Sequence, residues 1–332
     1  MMNQKTTLKQ LAKELNVSVS TVSKALNDSS EISAKTIKRV KELAKLYGYK
    51  PNPVAVSLKR NKTFTLGILM PDILNHFFAK VLYGIEQKAS ESGYKIITCL
   101  TNESLDKEKE YLDMLEYNQV DGVIAALSRE TQIKKDFRHF KEYIETGKPF
   151  VLFDRVTDDI ECDKVLVDDH QAAKDVFRYL EEKGRVNIAV ISTLPNLSVI
   201  KARIEGIEMI AKDSKVGYEI LMTDNDSEKQ IEDFLNSNKF DAVIGLDETA
   251  GSMAINAAKH LNIHIPEKLA VVGFSDGLLA RNAYPKMSVI SQHATELGEN
   301  TVKLLLERMA NKERKPVRFI QPTTLIKRAS TE

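Results

Sequence analysis

Small, polar and cationic side chains recur along one predicted helix at helical spacing. They are Val19, Ser20, Ser23, Lys24 and Asn27. Intervals of three and four residues place side chains on one face of a helix, and the apolar side chains of the same segment would lie on the other face. A surface of hydroxyl, amide and ammonium groups with a few methyl groups can bind DNA phosphates and base edges. These residues therefore predict a helix that recognises nucleic acid.

Two short helices joined by a tight turn would present this face. Thr7, three residues before Gln10, predicts a capping box at the start of a first amphipathic helix. Ser18 predicts the N-cap of the second helix, whose Val22 and Ala25 would pack against the first. This pattern is typical of a helix-turn-helix whose second helix enters the DNA major groove. An amphipathic hairpin that only packs against the rest of the protein is the alternative.

Charge is distributed unevenly along the chain and favours the DNA-binding interpretation. Residues 1–62 contain 13 lysines and arginines against four acidic residues, a net charge of +9. The other 270 residues carry −8, so the overall charge of +1 conceals a basic head on an acidic body. Such asymmetry is expected of a nucleic-acid-binding module joined to another domain.

Composition indicates a cytoplasmic, nucleoid-associated protein of two or three folding units, with no membrane span. No run of about 18 apolar residues is present, and residues 1–10 are too polar for a signal peptide. Cys99 and Cys162 lie near separate apolar runs and are predicted to be buried free thiols. The six histidines are scattered, so we predict neither a metal site nor a cofactor.

Residues 33–63 predict a third helix followed by a hinge. Ser33 is a candidate N-cap, and Gly48 is a candidate C-terminal stop. Asn52 and Pro53 would begin a further helix of only two turns. Because so short a helix is unstable alone in water, it would become ordered only when DNA is present.

From residue 65 short apolar runs alternate with amphipathic stretches. Strands are predicted at 65–70, 95–100, 121–127, 149–153, 164–167, 187–192, 218–222, 241–245 and 269–274. Helices are predicted at 78–92, 171–183, 199–212 and 249–260. The alternation is typical of parallel sheets covered on both faces, and the strand number favours two doubly wound subdomains. Their ligands would bind at the carboxyl ends of the strands, in the cleft between the subdomains.

Several motifs extend from one end of the chain to the other. The head carries TVSKALN and GYKPN, and the core carries MPDILNHFF, R-x-x-G at Arg203–Gly206, LDETA, VVGFSD and PTTLIKRAS. Together they resemble the lactose-repressor-type (LacI/GalR) family of bacterial transcription regulators. The resemblance implies an N-terminal all-α helix-turn-helix head and an α/β periplasmic-binding-protein-like core of two doubly wound parallel-sheet subdomains.

The resemblance also implies domain boundaries. It places the DNA-binding domain at 1–50, the hinge helix and linker at 51–63, and the effector-binding and dimerisation core at 64–332. Within the core, the N-subdomain would comprise about 64–162 plus 294–321. The C-subdomain would comprise about 163–293 plus 322–332.

DNA contacts are implied for thirteen residues of the head and hinge. Val19, Ser20 and Lys24 occupy the base-reading positions, where valine methyls can meet a thymine methyl and lysine can donate to guanine. Leu58 stands where the family inserts a leucine into the minor groove and kinks the duplex. The other contacts, mostly to phosphates, are implied for Leu8, Ser18, Thr21, Ser23, Asn27, Ser33, Thr36, Tyr49 and Asn52.

An effector site is implied for eight residues of the core. They are Asp72, Phe77, Phe78, Asp154, Arg203, Asp247, Ser275 and Asp276. Carboxylates accept hydrogen bonds from hydroxyls and a guanidinium donates in a fork, so the aspartates and the arginine suit a polyol. The expected effector is a sugar or sugar phosphate. The phenylalanine rings would supply an apolar wall. Alternatively, Asp72 caps the helix that follows it, and Phe77 or Phe78 belongs to the core.

Other functions fit parts of the pattern. Gly273–Gly277 spells the G-x-S-x-G of serine hydrolases, but no acidic residue stands between Asp276 and His293 to complete a triad. A transport-type sugar-binding protein would need a signal peptide and would not use the basic head. A further alternative keeps the DNA-binding head and gives the core a protein partner or a nucleobase as its signal. We predict a regulator and not an enzyme.

The sequence thus predicts a sequence-specific regulator, a repressor of carbohydrate-utilisation genes. One small head contacts too few bases, so a homodimer on a palindromic double-stranded DNA operator is expected, with half-sites about 34 Å apart. The C-terminus carries no heptad repeat, which favours a dimer over a tetramer. A sugar in the cleft would rotate the subdomains, alter the hinge and so change operator affinity.

Overall fold

The computed structural model describes residues 6–49, 62–224 and 227–332. The chain divides between Thr63 and Phe64 into two compact units, a head and a core. In the described part of the chain, no helix is both long and apolar enough to cross a membrane. The predicted hinge helix, with the implied DNA contacts Asn52 and Leu58, lies outside the described residues.

Three helices form the head: α1 (Leu8–Leu15), α2 (Val19–Leu26) and α3 (Ala34–Leu46). The predicted capping box is present at α1, because the side chains of Thr7 and Gln10 each accept a hydrogen bond from the other's backbone N–H. Ser18 and Ser33 cap α2 and α3 as predicted. Small and branched apolar side chains hold the three helices together, namely Leu11, Ala12, Val22, Ala25, Val40 and Ala44.

The core is organised around two six-stranded sheets. Strands of the first are β1 (Thr65–Met70), β2 (Lys95–Leu100), β3 (Gly122–Ala125), β4 (Phe150–Phe153), β5 (Asp163–Val167) and β11 (Arg318–Gln321). Strands of the second are β6 (Asn187–Ser192), β7 (Gly217–Met222), β8 (Ala242–Gly245), β9 (Ala270–Phe274), β10 (Ser288–Ser291) and β12 (Thr324–Ile326). Their spatial orders are β11-β5-β4-β3-β1-β2 and β12-β10-β9-β8-β6-β7. All neighbours are parallel except β12, which is antiparallel to β10.

Helices cover both faces of each sheet. They are α4 (His76–Glu91), α5 (Leu105–Tyr117), α6 (Arg129–Lys134), α7 (Arg138–Glu145), α8 (Asp169–Glu182), α9 (Ser198–Ala211), α10 (Glu228–Ser237), α11 (Glu248–His260), α12 (Leu278–Asn282) and α13 (Ala294–Ala310). Buried apolar clusters lie on either side of each sheet, which is why the strands are apolar on both faces. The predicted helices correspond to α4, α8, α9 and α11, with ends within about two residues.

One expectation about the strands is wrong, and three strands are not predicted. Residues 163–167 were expected in the C-subdomain, but β5 pairs with β4 and β11, so the chain enters the second subdomain only after Val167. A fully apolar strand has the same pattern in either sheet, so periodicity cannot decide between them. The hydropathy pattern also misses β10, β11 and β12, because strands of three or four residues are too short for a periodic signal.

Three segments connect the two subdomains. They join β5 to α8, β10 to α13, and β11 to β12. The first two leave the carboxyl ends of their strands, so the carboxyl edges of both sheets face the cleft between the subdomains. Residues in the loops directly after the strands therefore line the cleft, where a ligand would bind.

Helices α4 and α13 approach each other so closely that two positions require glycine. A Cβ on Gly84 would lie 2.0 Å from the Thr295 carbonyl oxygen, and a Cβ on Gly298 would lie 2.2 Å from that of Val81. We expect Gly298→Ala to lower the free energy of unfolding of the core by about 1–3 kcal/mol, because the helices must separate. Guanidinium unfolding measures the effect.

Gly217→Ala is the matched control for this prediction. A Cβ there would meet no described atom closer than 3.6 Å, so its denaturation midpoint should stay near that of the wild type. Equal midpoints for Gly298→Ala and Gly217→Ala would contradict the packing argument.

Candidate functional site

Helix α2 presents the predicted DNA-reading face to solvent. Val19 is 41% exposed, Ser20 and Asn27 are exposed, and Ser23 and Lys24 are partly exposed. The apolar stripe on the other side of the helix is fully buried in the head. The head therefore holds these side chains in position without using them as core.

Paired hydroxyls mark the starts of α2 and α3. Ser18 Oγ lies 2.8 Å from Thr21 Oγ1, and Ser33 Oγ lies 2.9 Å from Thr36 Oγ1. Each serine also accepts a hydrogen bond from the backbone N–H of its threonine. Partly exposed hydroxyls beside the positive end of a helix suit a phosphate oxygen.

The other implied DNA contacts of the head have partners within it. The Lys24 ammonium pairs with the Glu31 carboxylate, and the Asn27 amide donates to the Ser23 carbonyl at 2.7 Å. Leu8 and Tyr49 pack against the head core, and burial raises the pKa of the Tyr49 hydroxyl. Lys24 would exchange an exposed carboxylate for a base or phosphate, a small loss because exposed ion pairs contribute little.

Buried charges meet at the carboxyl ends of β4 and β5. Asp154 follows β4, Asp169 begins α8 after β5, and Arg203 extends from α9; each is at most 6% exposed. Arg203 Nε and Nη2 lie 2.7 and 2.6 Å from Asp169 Oδ1. Its Nη1 donates to the Leu246 carbonyl at 2.5 Å, and its guanidinium carbon lies 4.2 Å from the centre of the Phe274 ring. We call Asp154, Asp169 and Arg203 the carboxylate cluster.

Asp154 is the least satisfied member of this cluster. Its Oδ1 is buried and has no hydrogen-bond partner among the described residues, and its backbone lies in the left-handed region at φ 55°. Burial raises the pKa of Asp154 to about 7, with a further rise from Asp169 and opposition from Arg155 and Arg203. Burial likewise raises the pKa of Asp169, and Arg203 opposes that rise. A ligand hydroxyl would supply the missing hydrogen bond.

A row of three aromatic rings lies beside the carboxylate cluster, ending at Phe153, the residue before Asp154. The Phe77 and Phe78 ring centres are 5.5 Å apart, and Phe78 lies 6.1 Å from Phe153. The Arg155 guanidinium carbon lies 5.1 Å from the Phe78 ring, and its Nη1 donates to both carboxylate oxygens of Glu103 at 2.7 Å. Phe78 is thus mainly a core residue that supports Arg155.

Phe77, Ser275 and Asp276 line a separate cavity of about 210 Å³. It lies between the start of α4 in the first subdomain and the loop after β9 in the second. Asp276 accepts hydrogen bonds from Arg281 and Arg328. Burial alone would raise the pKa of Asp276, but these two guanidinium groups outweigh it and lower the pKa.

Asp247 serves the fold of the second subdomain. Its Oδ2 accepts from Ser192 Oγ at 3.0 Å and from the Thr193 N–H at 2.8 Å. Its Oδ1 accepts from Thr193 Oγ1 and from the Ala250 N–H, both at 2.8 Å, which caps α11. Four hydrogen bonds occupy this carboxylate, so it has little capacity left for an effector.

The structure separates the implied effector residues into groups. Asp154 and Arg203 belong to the carboxylate cluster, whereas Phe77, Ser275 and Asp276 line the cavity. Asp72 accepts the Leu74 N–H at 2.8 Å in a turn, and Asn75, not Asp72, caps α4.

Sequence reasoning missed Asp169, Arg155 and Gln292. Asp169 and Arg155 follow the predicted strands 164–167 and 149–153 by two residues, where the carboxyl-end rule directs attention. Gln292 follows β10, a strand that the hydropathy pattern does not reveal. In the described part of the chain, no three His, Cys, Asp or Glu residues are grouped to hold a metal ion.

Known protein families match both the head and the core of this chain. A model for bacterial regulatory proteins of the lacI family matches residues 7–52, and one for a periplasmic binding protein-like domain matches residues 177–331. The HTH-type transcriptional regulator RegA of Clostridium saccharobutylicum is 33% identical over 334 residues, which cover 98% of this chain and 99% of that protein. The chain belongs to the LacI family.

A second relative and a solved structure also resemble this LacI-family chain over nearly its whole length. The ribose operon repressor of Halalkalibacterium halodurans is 29% identical over 98% of this chain and 97% of its own length. The crystal structure of the lac repressor dimer bound to operator and an anti-inducer superposes with a TM-score of 0.88, at 20% identity, over 99% of each chain. The predicted fold class, a helix-turn-helix head with two α/β subdomains, is confirmed.

The family assignment also removes the serine-hydrolase alternative, since the relatives are transcription regulators and the LacI family is not enzymatic. The hydrogen-bond partners of the two residues that would complete a triad also argue against a hydrolase. Asp276 is paired with arginines rather than with a histidine, and His293 Nε2 lies 2.9 Å from Thr324 Oγ1. Among the described residues, neither Asp276 nor His293 is thus placed as an oriented base that would activate Ser275 as a nucleophile.

Proposed function

We propose that this LacI-family regulator represses carbohydrate-utilisation genes by binding a palindromic double-stranded DNA operator as a homodimer. A sugar or sugar phosphate in the cleft would be its effector. The observation that carries the DNA-binding part is the solvent-exposed face of α2 on a head whose net charge is +9. Solvent-accessible polar side chains on a capped helix are what base-edge recognition in the major groove requires.

The carboxylate cluster supports a polyol effector. Asp154 offers an unsatisfied buried acceptor, and sugar hydroxyls are donors that can reach such a site without bringing a charge. The relative named for a ribose operon, 29% identical over nearly the whole chain, agrees with a carbohydrate signal. A nucleobase or protein partner remains as an outcome of the tests below.

Exposed apolar side chains at the sheet edges support the dimer. Ile97 on edge strand β2 is 37% exposed, and Ile220 and Met222 on edge strand β7 are 36% and 38% exposed. Each is an edge strand that pairs with the first strand of its own subdomain, so the two edges are topologically equivalent and a second copy could cover them. Sedimentation of the purified chain measures the dimer directly.

The switching mechanism we propose uses the three connections between subdomains. An effector that bridges the two subdomains would favour one cleft geometry, and residues 51–63 would pass that change to the heads. Such coupling requires that the effector bind the two geometries with different affinities. Residues 51–61 of this segment lie outside the described residues.

Selection of genomic DNA fragments by the purified protein tests the DNA-binding proposal. We expect a palindrome with half-sites one helical turn apart, recovered at moderate salt. Fragments retained without any common sequence would contradict sequence-specific recognition and would leave only electrostatic binding by the basic head.

Lys24→Ala should relax sequence preference at one base position of each half-site and weaken operator binding by about 1–3 kcal/mol. Lys9→Ala is the matched control, because Lys9 is exposed on α1 and carries the same charge away from the α2 face. We expect Lys9→Ala to weaken all sequences alike. Competition binding with single-base operator variants distinguishes the two, and identical profiles would remove Lys24 from the base-reading surface.

A further inference from the structure

Two of the few acidic residues of the head stand directly after the DNA-reading helix. Residues 1–62 contain 13 lysines and arginines, and their acidic residues are Glu14, Asp28, Glu31 and Glu42. Asp28 and Glu31 lie in the turn that follows α2. Carboxylates so close to a phosphate-binding surface weaken the electrostatic attraction to DNA, so their contacts indicate what they contribute instead.

Asp28 pairs with Lys41 of α3. Both of its carboxylate oxygens accept from Lys41 Nζ at 2.6 Å. Its backbone lies in the left-handed region at φ 54°, where the chain turns away from α2. Ile32, at the other end of the turn, packs against the head core. The turn is therefore held to the head on both sides of Glu31.

Glu31 pairs with the lysine that occupies a base-reading position. Its carboxylate accepts a hydrogen bond from the Lys24 ammonium, and the two side chains are 65% and 40% exposed. The backbone of Ser29 links the same two residues, because its N–H donates to the Lys24 carbonyl at 3.1 Å. The Ser29 hydroxyl accepts from the Glu31 N–H at 3.4 Å. The Glu31 carboxylate therefore lies at the edge of the DNA-reading face, beside Lys24.

The pairing leaves Lys24 able to contact a base while its ammonium stays bound to Glu31. An ammonium carries three N–H donors, and Glu31 occupies one of them. The remaining two match the O6 and N7 acceptors that guanine presents in the major groove. Without Glu31 the flexible lysine side chain would also reach phosphate oxygens, and such contacts carry no sequence information. The carboxylate opposes that alternative, because it restricts the ammonium and repels phosphates.

We propose that Glu31 is a positioning residue for sequence recognition, which directs Lys24 to a base edge and away from the DNA backbone. Glu31 thereby lowers affinity for DNA of any sequence and raises the preference for the operator. Because exposed ion pairs contribute little, the expected effects are a few fold. This inference rests on the proposed function, since it names a residue that sets the specificity of the same DNA-binding surface.

Glu31→Gln tests the proposal, because it removes the charge and keeps the size of the side chain. On random-sequence DNA the variant should bind about twofold to fivefold more tightly than the wild type. The slope of log affinity against log salt concentration should steepen by about 0.9, the value for one more neutralised phosphate. On single-base operator variants, discrimination at the position that Lys24 reads should fall by about twofold to fivefold. Fluorescence anisotropy over a salt series measures all three quantities on the full-length protein.

Two controls separate positioning from net charge. Glu42→Gln changes the net charge of the head equally at an exposed site on α3, so it should leave base preference and the salt slope near those of the wild type. Adding Glu31→Gln to Lys24→Ala completes a double-mutant cycle. In that background Glu31→Gln should change neither the base preference nor the salt slope, because Lys24 is the residue through which Glu31 acts.

Each outcome decides the inference. Equal effects of Glu31→Gln and Glu42→Gln would mean that only net charge matters and would overturn the proposal. The same loss of base preference with and without Lys24 would also overturn it, because Glu31 would then act on DNA independently. A recovered operator with either result refutes the positioning role alone, whereas fragments without any common sequence, retained by the wild type, would refute the proposed function as well.

Discussion

Replacing Arg203 by alanine is expected to abolish the effector response while operator binding without effector persists. The guanidinium is the only cation within hydrogen-bond distance of Asp169 in the described part of the chain, and it also donates to the Leu246 carbonyl. Its removal leaves a buried carboxylate unpaired, so the free energy of unfolding of the core should fall by about 3–5 kcal/mol. Operator titrations and denaturant unfolding measure the two effects.

A second variant separates loss of function from loss of stability. In Arg203→Ala with Asp169→Asn the carboxylate that pairs with Arg203 is neutralised, so much of the stability should return while the effector response stays absent. Arg178→Ala on the exposed face of α8 is the control and should change stability by less than about 0.5 kcal/mol. A double variant that responds normally to effector would remove Arg203 from the site.

Asp154→Asn is expected to change the pH dependence of stability. The pKa of Asp154 rises from its ordinary 3.8 to about 7 in the folded protein, chiefly because of burial. Between these values the unfolded chain releases this proton and the folded protein retains it, so stability falls as pH rises through the window. The asparagine variant lacks this loss, and relative to wild type it should gain on the order of 4 kcal/mol between acidic and neutral pH.

Urea unfolding of the wild type and of Asp154→Asn at about pH 4 and about pH 8 measures that difference. The other titratable groups are the same in both proteins, so their contributions cancel when the two free energies of unfolding are subtracted. Asp175→Asn on the exposed face of α8 is the control and should show no pH-dependent gain. Parallel pH profiles for Asp154→Asn and the wild type would mean that Asp154 is ionised normally when buried.

Much of the fold could be predicted because local signals and burial agree. Ser18, Ser33 and the Thr7–Gln10 box are capping signals that depend only on neighbours in the sequence. Long amphipathic helices and apolar strands give a clear period. The sheet to which β5 belongs could not be predicted, because pairing with β4 and β11 is a tertiary choice that the apolar run does not encode.

The site was less predictable than the fold, for a related reason. Asp154 and Asp247 both follow strands, and the sequence implies an effector contact for each. In the structure four hydrogen bonds occupy the Asp247 carboxylate, whereas Asp154 Oδ1 has no hydrogen-bond partner among the described residues. Only the packing of Ser192 and Thr193 around Asp247 distinguishes a structural cap from a ligand-binding carboxylate. Gln292 becomes a candidate only when β10 brings it to the cavity.

The most direct test of the account is the affinity of the purified protein for its selected operator, measured by fluorescence anisotropy with and without sugars, sugar phosphates and sugar acids. We expect one ligand class to change operator affinity at least about tenfold in the wild type, and to leave it unchanged in the Arg203→Ala, Asp169→Asn double variant. A ligand that binds the core by calorimetry but leaves operator affinity unchanged would contradict it.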